Sequence, residues 1–491
     1  MSKLTRIYTL THSFNSKFRE KIKYIIGKEN VEFISHSKNY LSAEIFIRSL
    51  SFISVPIFTR LLLPDEYGIL AIFSSIVEVF GILLGFNIRG AVSRYYYEKS
   101  NDFAEFLGSN LLFVLFFNFF AISLIHLFKY RIANFFVIIP YLFIIAIFIS
   151  AFTIPCNMYL SYLQASKQSK KYSLISINKG ILSLIVSIIW VYLLKENRYY
   201  GTVYSSLLIT TVFAFYMIYK LVKLSKINFK LEHIKYSIKF GVPLIPHAFS
   251  GFILAFFDRI IINQLTGSLN TGLYSFAYSV GMIMNTVIMA MTLAWVPIFY
   301  ENLANKDFKK IDNLAYNYSK YIYFTAIGLI LFSKELVFLM AAKKYHTALP
   351  IVPIIIISYV GVFLYTLYGN YSFYRKKTGL ISLATLFAGG INIGLNYWLI
   401  PIYGYIAAAY TTLVSYFLLF LFHFLNVKYI LKEKDIIPIG RVLSNFSWIM
   451  LAALVFIFTN SYMNILIFSL IIKILFLSFI MWMFFIREKN K

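Results

Sequence analysis

Apolar runs of about 18 residues or more recur along the whole of this chain, and each is as long as a helix must be to cross a bilayer core. Lipid offers no hydrogen-bond partner, so a run of this kind has to satisfy its backbone within itself, as a helix. The alternating ten-residue pattern of an outer-membrane barrel is absent. Composition agrees: of the 491 residues 60% are hydrophobic and 13% charged, and the mean hydropathy is +0.74. That leaves too little charge to clothe a soluble surface of this size. The runs place fourteen spans at roughly 42–62, 68–88, 105–127, 135–158, 173–194, 200–219, 240–262, 273–297, 317–333, 350–372, 379–400, 404–426, 442–459 and 464–486. The expected fold is an all-α integral membrane protein of about 14 transmembrane helices.

A net charge of +26 raises nucleic acid as a partner, but the cations sit in short clusters between apolar runs. That pattern orients a membrane protein and excludes the nucleic-acid reading. With the amino terminus placed in the cytoplasm, 34 of the 46 Lys and Arg residues fall in the cytoplasmic loops and tails, seven fall in outer loops, and five lie inside spans. A wrong span count would invert this bias halfway along; it does not invert. Both termini are therefore expected in the cytoplasm. The first forty residues are basic and carry no apolar core of a cleavable signal. Phe14, Phe18, Ile22 and Ile25, with lysines and Arg19 between them, fit either an amphipathic helix on the inner leaflet or a solvated basic tail. Every outer loop is short, the longest roughly sixteen residues after the ninth span, too short for a folded catalytic module.

Two halves of the chain echo one another. Arg60, Pro64-Asp65-Glu66-Tyr67-Gly68 and Tyr96-Tyr97-Glu98 are answered by Asp258-Arg259, Thr271-Gly272-Leu273-Tyr274 and Phe299-Tyr300-Glu301. Gly201 with Ser205, Ser206, Thr210 and Thr211 is answered by Gly404 with Ala407–Ala409, Thr411 and Thr412; small residues of this kind let helices approach closely. Six spans separate the equivalents, which implies two six-helix bundles related by an axis along the membrane normal. The domain reading is a basic amino-terminal segment at 1–41, an N-lobe at 42–222, a basic linker at 223–239, a C-lobe at 240–426, a cytoplasmic loop at 427–441, two extra helices at 442–486 and a tail at 487–491.

Each charge inside a span needs a reason, because an ionised group near mid-membrane costs about 2.5–3.5 kcal/mol on insertion scales. Glu78, halfway along the second span, reads as a proton or cation coupling site or as the partner of a cation on a neighbouring helix. Arg48 follows Glu44 by one turn, so a local pair competes with a role in a cavity. Arg60, about 120° around the same helix, lies near its outer end, where it can snorkel. Lys179 sits in the inner half of the fifth span. Asp258 and Arg259 project about 100° apart, so at most one points squarely into a cavity. Lys473, mid-span in the fourteenth helix, fits either a groove for a lipid tail or snorkelling. Arg48, Arg60, Lys179 and Arg259 outnumber Glu78 and Asp258, and a cavity lined that way suits an anionic substrate, above all a phosphate or pyrophosphate.

Other chemistry is missing. The seven His residues are scattered, no HExxH, GxSxG or P-loop occurs, and the single Cys156 cannot form an intrachain disulfide. No catalytic or metal-ligating residues are expected, and ATP-driven pumping by this chain alone is excluded.

The stretch Val55-Pro56-Ile57-Phe58-Thr59-Arg60-Leu61-Leu62-Leu63-Pro64-Asp65-Glu66-Tyr67-Gly68 resembles the amino-terminal signature of bacterial polysaccharide flippases, the Wzx-like members of the multidrug/oligosaccharidyl-lipid/polysaccharide exporter superfamily. Gly241-Val242-Pro243-Leu244-Ile245-Pro246, followed by Asp258-Arg259 and Gly272-Leu273-Tyr274, resembles it too. So does Asn396-Tyr397-Trp398-Leu399-Ile400-Pro401-Ile402-Tyr403-Gly404. The resemblance runs over essentially the whole chain. It implies a V-shaped two-lobe transporter, not an enzyme, in the bacterial cytoplasmic membrane. Its substrate would be an undecaprenyl-pyrophosphate-linked oligosaccharide moved between leaflets by alternating access, for O-antigen, capsule or another surface polysaccharide. On that reading Arg48, Arg60, Lys179 and Arg259 hold the head group, and Glu78 or Asp258 couples the cycle to protons or sodium ions without any other cofactor. Partners would be membrane lipids and the polymerase and chain-length proteins of the same pathway. The rivals are a multidrug cation antiporter and a lipid II flippase of the same superfamily and, from another class, a membrane polysaccharide polymerase or ligase.

Overall fold

A computed structural model describes residues 28–98, 100–433, 435–461 and 466–486; the amphipathic stretch read at Phe14 to Ile25 lies outside them. The described residues are helical with short connections and contain no strand. Thirteen helices are long and apolar enough to cross a membrane: Ser42–Leu61, Pro64–Gly85, Phe103–Leu127, Pro140–Ala165, Ser169–Leu193, Tyr199–Leu224, Leu231–Thr266, Ser268–Ala304, Lys343–Tyr374, Gly379–Tyr403, Ile406–Ile430, Ile439–Ser461 and Ile467–Ile486. The ninth expected span completes fourteen as a bent pair, Phe308–Leu331 and Ser333–Met340, which meet at 64°. All fourteen expected spans are thus found in order. The fourth, expected at 135–158, runs instead from Pro140, because Pro140 occupies the first helical turn, where its missing N–H costs nothing. The first helix already begins at Lys28, ahead of its apolar part.

Two separate apolar cores define two lobes. Ile72, Phe106, Phe143, Met158, Val203 and Met217 belong to the first. Tyr274, Met284, Ile327, Val360, Leu367 and Ala408 belong to the second. The two extra helices join the second core through Ile449, Phe456, Ile480 and Phe484. They are fastened to the ninth span by an Arg441–Asp312 ion pair, by Lys320 donating to the Phe484 carbonyl at 3.0 Å, and by Lys473 paired with Glu335 at 2.7 Å.

The halves match beyond their motifs. The fourth and tenth spans, six apart, both end on a lysine in the left-handed region, Lys167 at φ 56° and Lys376 at φ 58°. In each, the next amide closes the helix by donating five residues back, Gln168 to Leu163 and Lys377 to Ser372. A cation suits that position, since the helix end carries unsatisfied carbonyls. The second span departs from its partner. Phe86 and Asn87 take positive φ values of 45° and 49°, breaking it before the helix Ile88–Glu98, whereas the eighth span runs unbroken over Ser268–Ala304.

The linker does not hang free. Its helix Leu231–Gly241 lies on the first lobe: Tyr236 donates to Glu98 at 2.6 Å, Tyr95 meets His233 at 3.2 Å, Lys230 pairs with Glu105, and Ser109 donates to the Asn228 carbonyl at 2.6 Å. The chain leaves this helix for the second lobe through Val242–Leu244, a 3-10 turn bearing Pro243, with Pro246 two residues further on.

Candidate functional site

The face that carries the linker and most Lys and Arg clusters is the basic face; the opposite one holds few cations. Hydrogen bonds between the lobes cluster at the cation-poor end. Thr59 donates to the Met340 carbonyl at 2.9 Å, Arg60 to Leu339 at 2.9 Å, and Tyr345 to Leu62 at 3.1 Å. Asn263 donates to Phe136 at 2.9 Å and Gln264 to Phe135 at 2.5 Å. Beneath them Gly68 and Gly272 bring the second and eighth spans into backbone contact: a Cβ on either would collide with the other helix's main chain. Tyr67 meets Ser279 at 3.5 Å, a further turn inside. Toward the basic face Glu78 of the second span and Met282, Met289 and Leu293 of the eighth stand exposed, which is the exposure expected where the two spans part. The lobes enclose a cleft shut at the cation-poor end.

Arg48 lies on the cleft side of the first span. Residues 48, 51, 55 and 59 form one stripe of that helix. Its upper members touch the second lobe, Val55 inside the second core and Thr59 on Met340. Glu44, one turn below Arg48, holds its guanidinium at 2.8 Å, so the local pair and the cleft position coexist.

Glu78 opens onto a cavity of about 380 Å³ between the second, fourth and seventh spans, lined also by Asn87, Arg89, Ser150, Thr153 and Asn157 and closed by Ile245 and Ala248. The volume falls within the range of small-ligand sites, about 300–1,000 Å³. Glu78 and Arg89 face the same space without forming an ion pair with one another. The broken end of the second span brings Asn87 and Arg89 there: positive φ at Phe86 and Asn87 turns the chain back against the lobe. Gly241 permits this, because a Cβ there would strike the Phe86 carbonyl. Arg89 reads from sequence as part of a basic loop, and Asn157 as one polar residue in an apolar run; the Gly85-Phe86-Asn87 break was the available signal for the first.

In the second lobe Asp258 and Arg259 diverge as expected. A π-helical turn, Ile253–Phe257, widens the seventh span just before them. Asp258 is buried and accepts from Tyr274 and Thr412, both at 2.7 Å, and from Asn396 at 2.8 Å. Asn396 also donates to Asn392 at 3.1 Å and accepts from Thr411 at 2.5 Å. This network joins the seventh, eighth, eleventh and twelfth spans around one carboxylate. Arg259 turns away. It is 7% exposed, donates to the Ala255 carbonyl at 2.6 Å, and lies over the rings of Tyr278 and Phe256 at 4.6 and 5.1 Å. Arg259 also lies within electrostatic reach of Tyr67, the residue that meets Ser279, so this guanidinium stands beside the inner edge of the seal.

Two expectations are corrected, and a third residue is found apart from Glu78. Arg60 does not line the cleft: it sits in the seal, donating to the Pro56 and Leu339 carbonyls. Lys473 faces no groove: it is fully buried against Glu335, a carboxylate from an outer turn that sequence distance hides. Lys179 is half-buried on the fifth span within electrostatic reach of Cys156, and it does not line the cavity around Glu78.

Residues 39–303 match the family model described as "Polysaccharide biosynthesis protein". The chain is 27% identical over 275 residues to Lsg locus putative protein 1 of Haemophilus influenzae, a match covering 54% of this chain and 66% of that protein. Among solved structures, lipid II flippase MurJ in an inward closed conformation superposes with a TM-score of 0.73 at 18% identity, covering 92% of this chain and 99% of that one. An inward-facing multidrug resistance MATE family transporter of the MOP superfamily gives 0.64 at 14% identity, covering 79% and 96%. The fold is that of these two proteins.

Proposed function

The chain belongs to the polysaccharide biosynthesis protein family, and from that premise we propose that it carries a lipid-linked oligosaccharide across the bacterial cytoplasmic membrane. The substrate is an undecaprenyl-pyrophosphate-linked repeat unit on its way to O-antigen, capsule or a related surface glycan. On this reading the basic face is cytoplasmic, which the distribution of Lys and Arg supports.

The observation that carries the reading is a cleft shut by inter-lobe bonds at one end and widening toward the basic face, with cationic and amide side chains within it. The pyrophosphate enters from the cytoplasmic side and meets Arg48; sugar hydroxyls meet Glu78, which accepts, Arg89, which donates, and Asn87 and Asn157, which do both; Arg259 waits at the roof. The lipid tail stays in the bilayer, so the protein binds only the part that water would otherwise hold. Opening at the other face requires the seal at Gly68 and Gly272 to part. Asp258 ties together four spans of one lobe, and a proton or sodium ion arriving at its carboxylate would loosen the three donors that now hold it. Glu78 is the second coupling group. A cleft for cationic drugs would need carboxylates away from cations, yet Glu44 is held by Arg48 and Glu78 shares its cavity with Arg89.

Proteoliposomes loaded with a fluorescent lipid-linked oligosaccharide test this by protection from an external glycosidase. Wild-type protein should equilibrate the substrate between leaflets, and Arg48→Gln with Arg89→Gln should abolish that while leaving the fold intact. Wild-type rates in the double variant, or efflux of a cationic dye in place of the glycolipid, would overturn the proposal.

A further inference from the structure

Outside the cleft, a groove of about 550 Å³ runs between the first and fifth spans near the cation-poor face. Pro56, Ile57, Ile188, Ile189 and Leu193 make its walls, and Arg60 closes its end. Proline is the reason for the hollow on one side: Pro56 offers no N–H and a compact ring in mid-helix. Ile189 is 48% exposed on the other side. A second guanidinium stands at the same end. Arg198 donates to the Leu61 carbonyl at 3.2 Å, next in sequence to Arg60, and to Leu194 at 3.1 Å. Each arginine has five N–H donors, and the carbonyl bonds of each use only part of that fork. The nearby carboxylates do not claim the rest. Glu66 accepts the Leu63 amide at 2.9 Å, and Lys344 lies within reach of both Asp65 and Glu66.

We propose that this groove is a lipid site, in which a hydrocarbon tail lies between the first and fifth spans and the phosphate of the same lipid is held by Arg60 and Arg198. Hydrocarbon fills an apolar hollow at membrane depth without a desolvation cost. A phosphate at the interface matches a pair of planar forks that neutral head groups leave unsatisfied. The proposal is independent of what passes through the cleft. Because Arg60 also reaches Leu339 of the second lobe, a lipid seated here binds the sealed form.

Native mass spectrometry of the full chain released from nanodiscs tests it. The discs contain either phosphatidylglycerol or a glucosyl diacylglycerol with the same acyl chains. Wild-type protein should retain one phosphatidylglycerol, with the neutral glycolipid retained about tenfold less, the worth of one charge-assisted contact. Arg198→Gln, which leaves the Arg60–Leu339 contact in place, should erase that preference, and Ile189→Trp should expel both lipids. Equal retention of the two lipids by wild type, an unchanged preference in Arg198→Gln, or full occupancy in Ile189→Trp would each overturn it.

Discussion

Replacing Gly272 by alanine should shift the protein toward opening at the cation-poor face. An added methyl at Gly272 would fall on the Pro64 carbonyl oxygen, 2.7 Å from the carbonyl carbon and 3.0 Å from the Gly68 amide nitrogen. These obstacles are main chain, with no rotamer to yield, so the second and eighth spans must separate. Overpacking of this kind costs about 1–3 kcal/mol. Here it is charged only to the sealed form, which corresponds to a shift of about 5- to 150-fold in the balance between states. The chain has one cysteine, the buried Cys156, so Cys156→Ala gives a clean background for a reporter at Ser279, just inside the seal. Labelling of Ser279→Cys by an impermeant maleimide applied from the cation-poor side should accelerate about tenfold with Gly272→Ala. Gly394→Ala, where a Cβ would meet open space, should leave it unchanged. Labelling that stays at the background rate, or rises equally from both faces, would refute the assignment of this contact as the closing surface.

Glu335→Gln should lower the detergent melting temperature sharply, because breaking a buried pair from one side costs about 3–5 kcal/mol. Lys473→Met with Glu335→Leu should recover most of the loss in the same melt. Glu44→Gln should leave transport intact and raise substrate affinity by at most about twofold, since a partly exposed i,i+4 pair holds Arg48 with only about 0.3–0.5 kcal/mol; titration of the glycolipid measures it, and a fall in affinity would remove Arg48 from the binding stripe. Asp258→Asn should keep the fold yet lose transport, and any stabilisation of the wild-type melt by sodium over potassium should vanish with it.

The membrane-spanning plan could be read from sequence because a bilayer imposes length and polarity on each helix separately, with no need to know its neighbours. Even the weak ninth span appears, though the bend after Leu331 does not announce itself. The site was less readable, and for one reason. Sequence gives the depth of a charge in the membrane but not the direction it faces. Arg48 and Arg60 share a helix and a sign, yet one lies in the cleft and the other in the seal. Lys473 finds its carboxylate 138 residues away. Arg89 reads as part of a basic loop: Gly85-Phe86-Asn87 signals a break in the apolar run, but not whether the chain then folds back or out. Asp258 stood out in sequence, whereas its donors Tyr274, Asn396 and Thr412 are ordinary residues made special by convergence.

Docking of the helix Leu231–Gly241 on the first lobe relocates the joint between the two halves. By charge and composition the natural place to cut is the basic stretch after Leu224, but that stretch is grafted onto its predecessor through Tyr236, Lys230 and Ser109. Anyone building hybrids from two relatives should splice at Val242, keeping the graft with its host; a crossover a dozen residues earlier would pair each strap with a surface it did not evolve to fit.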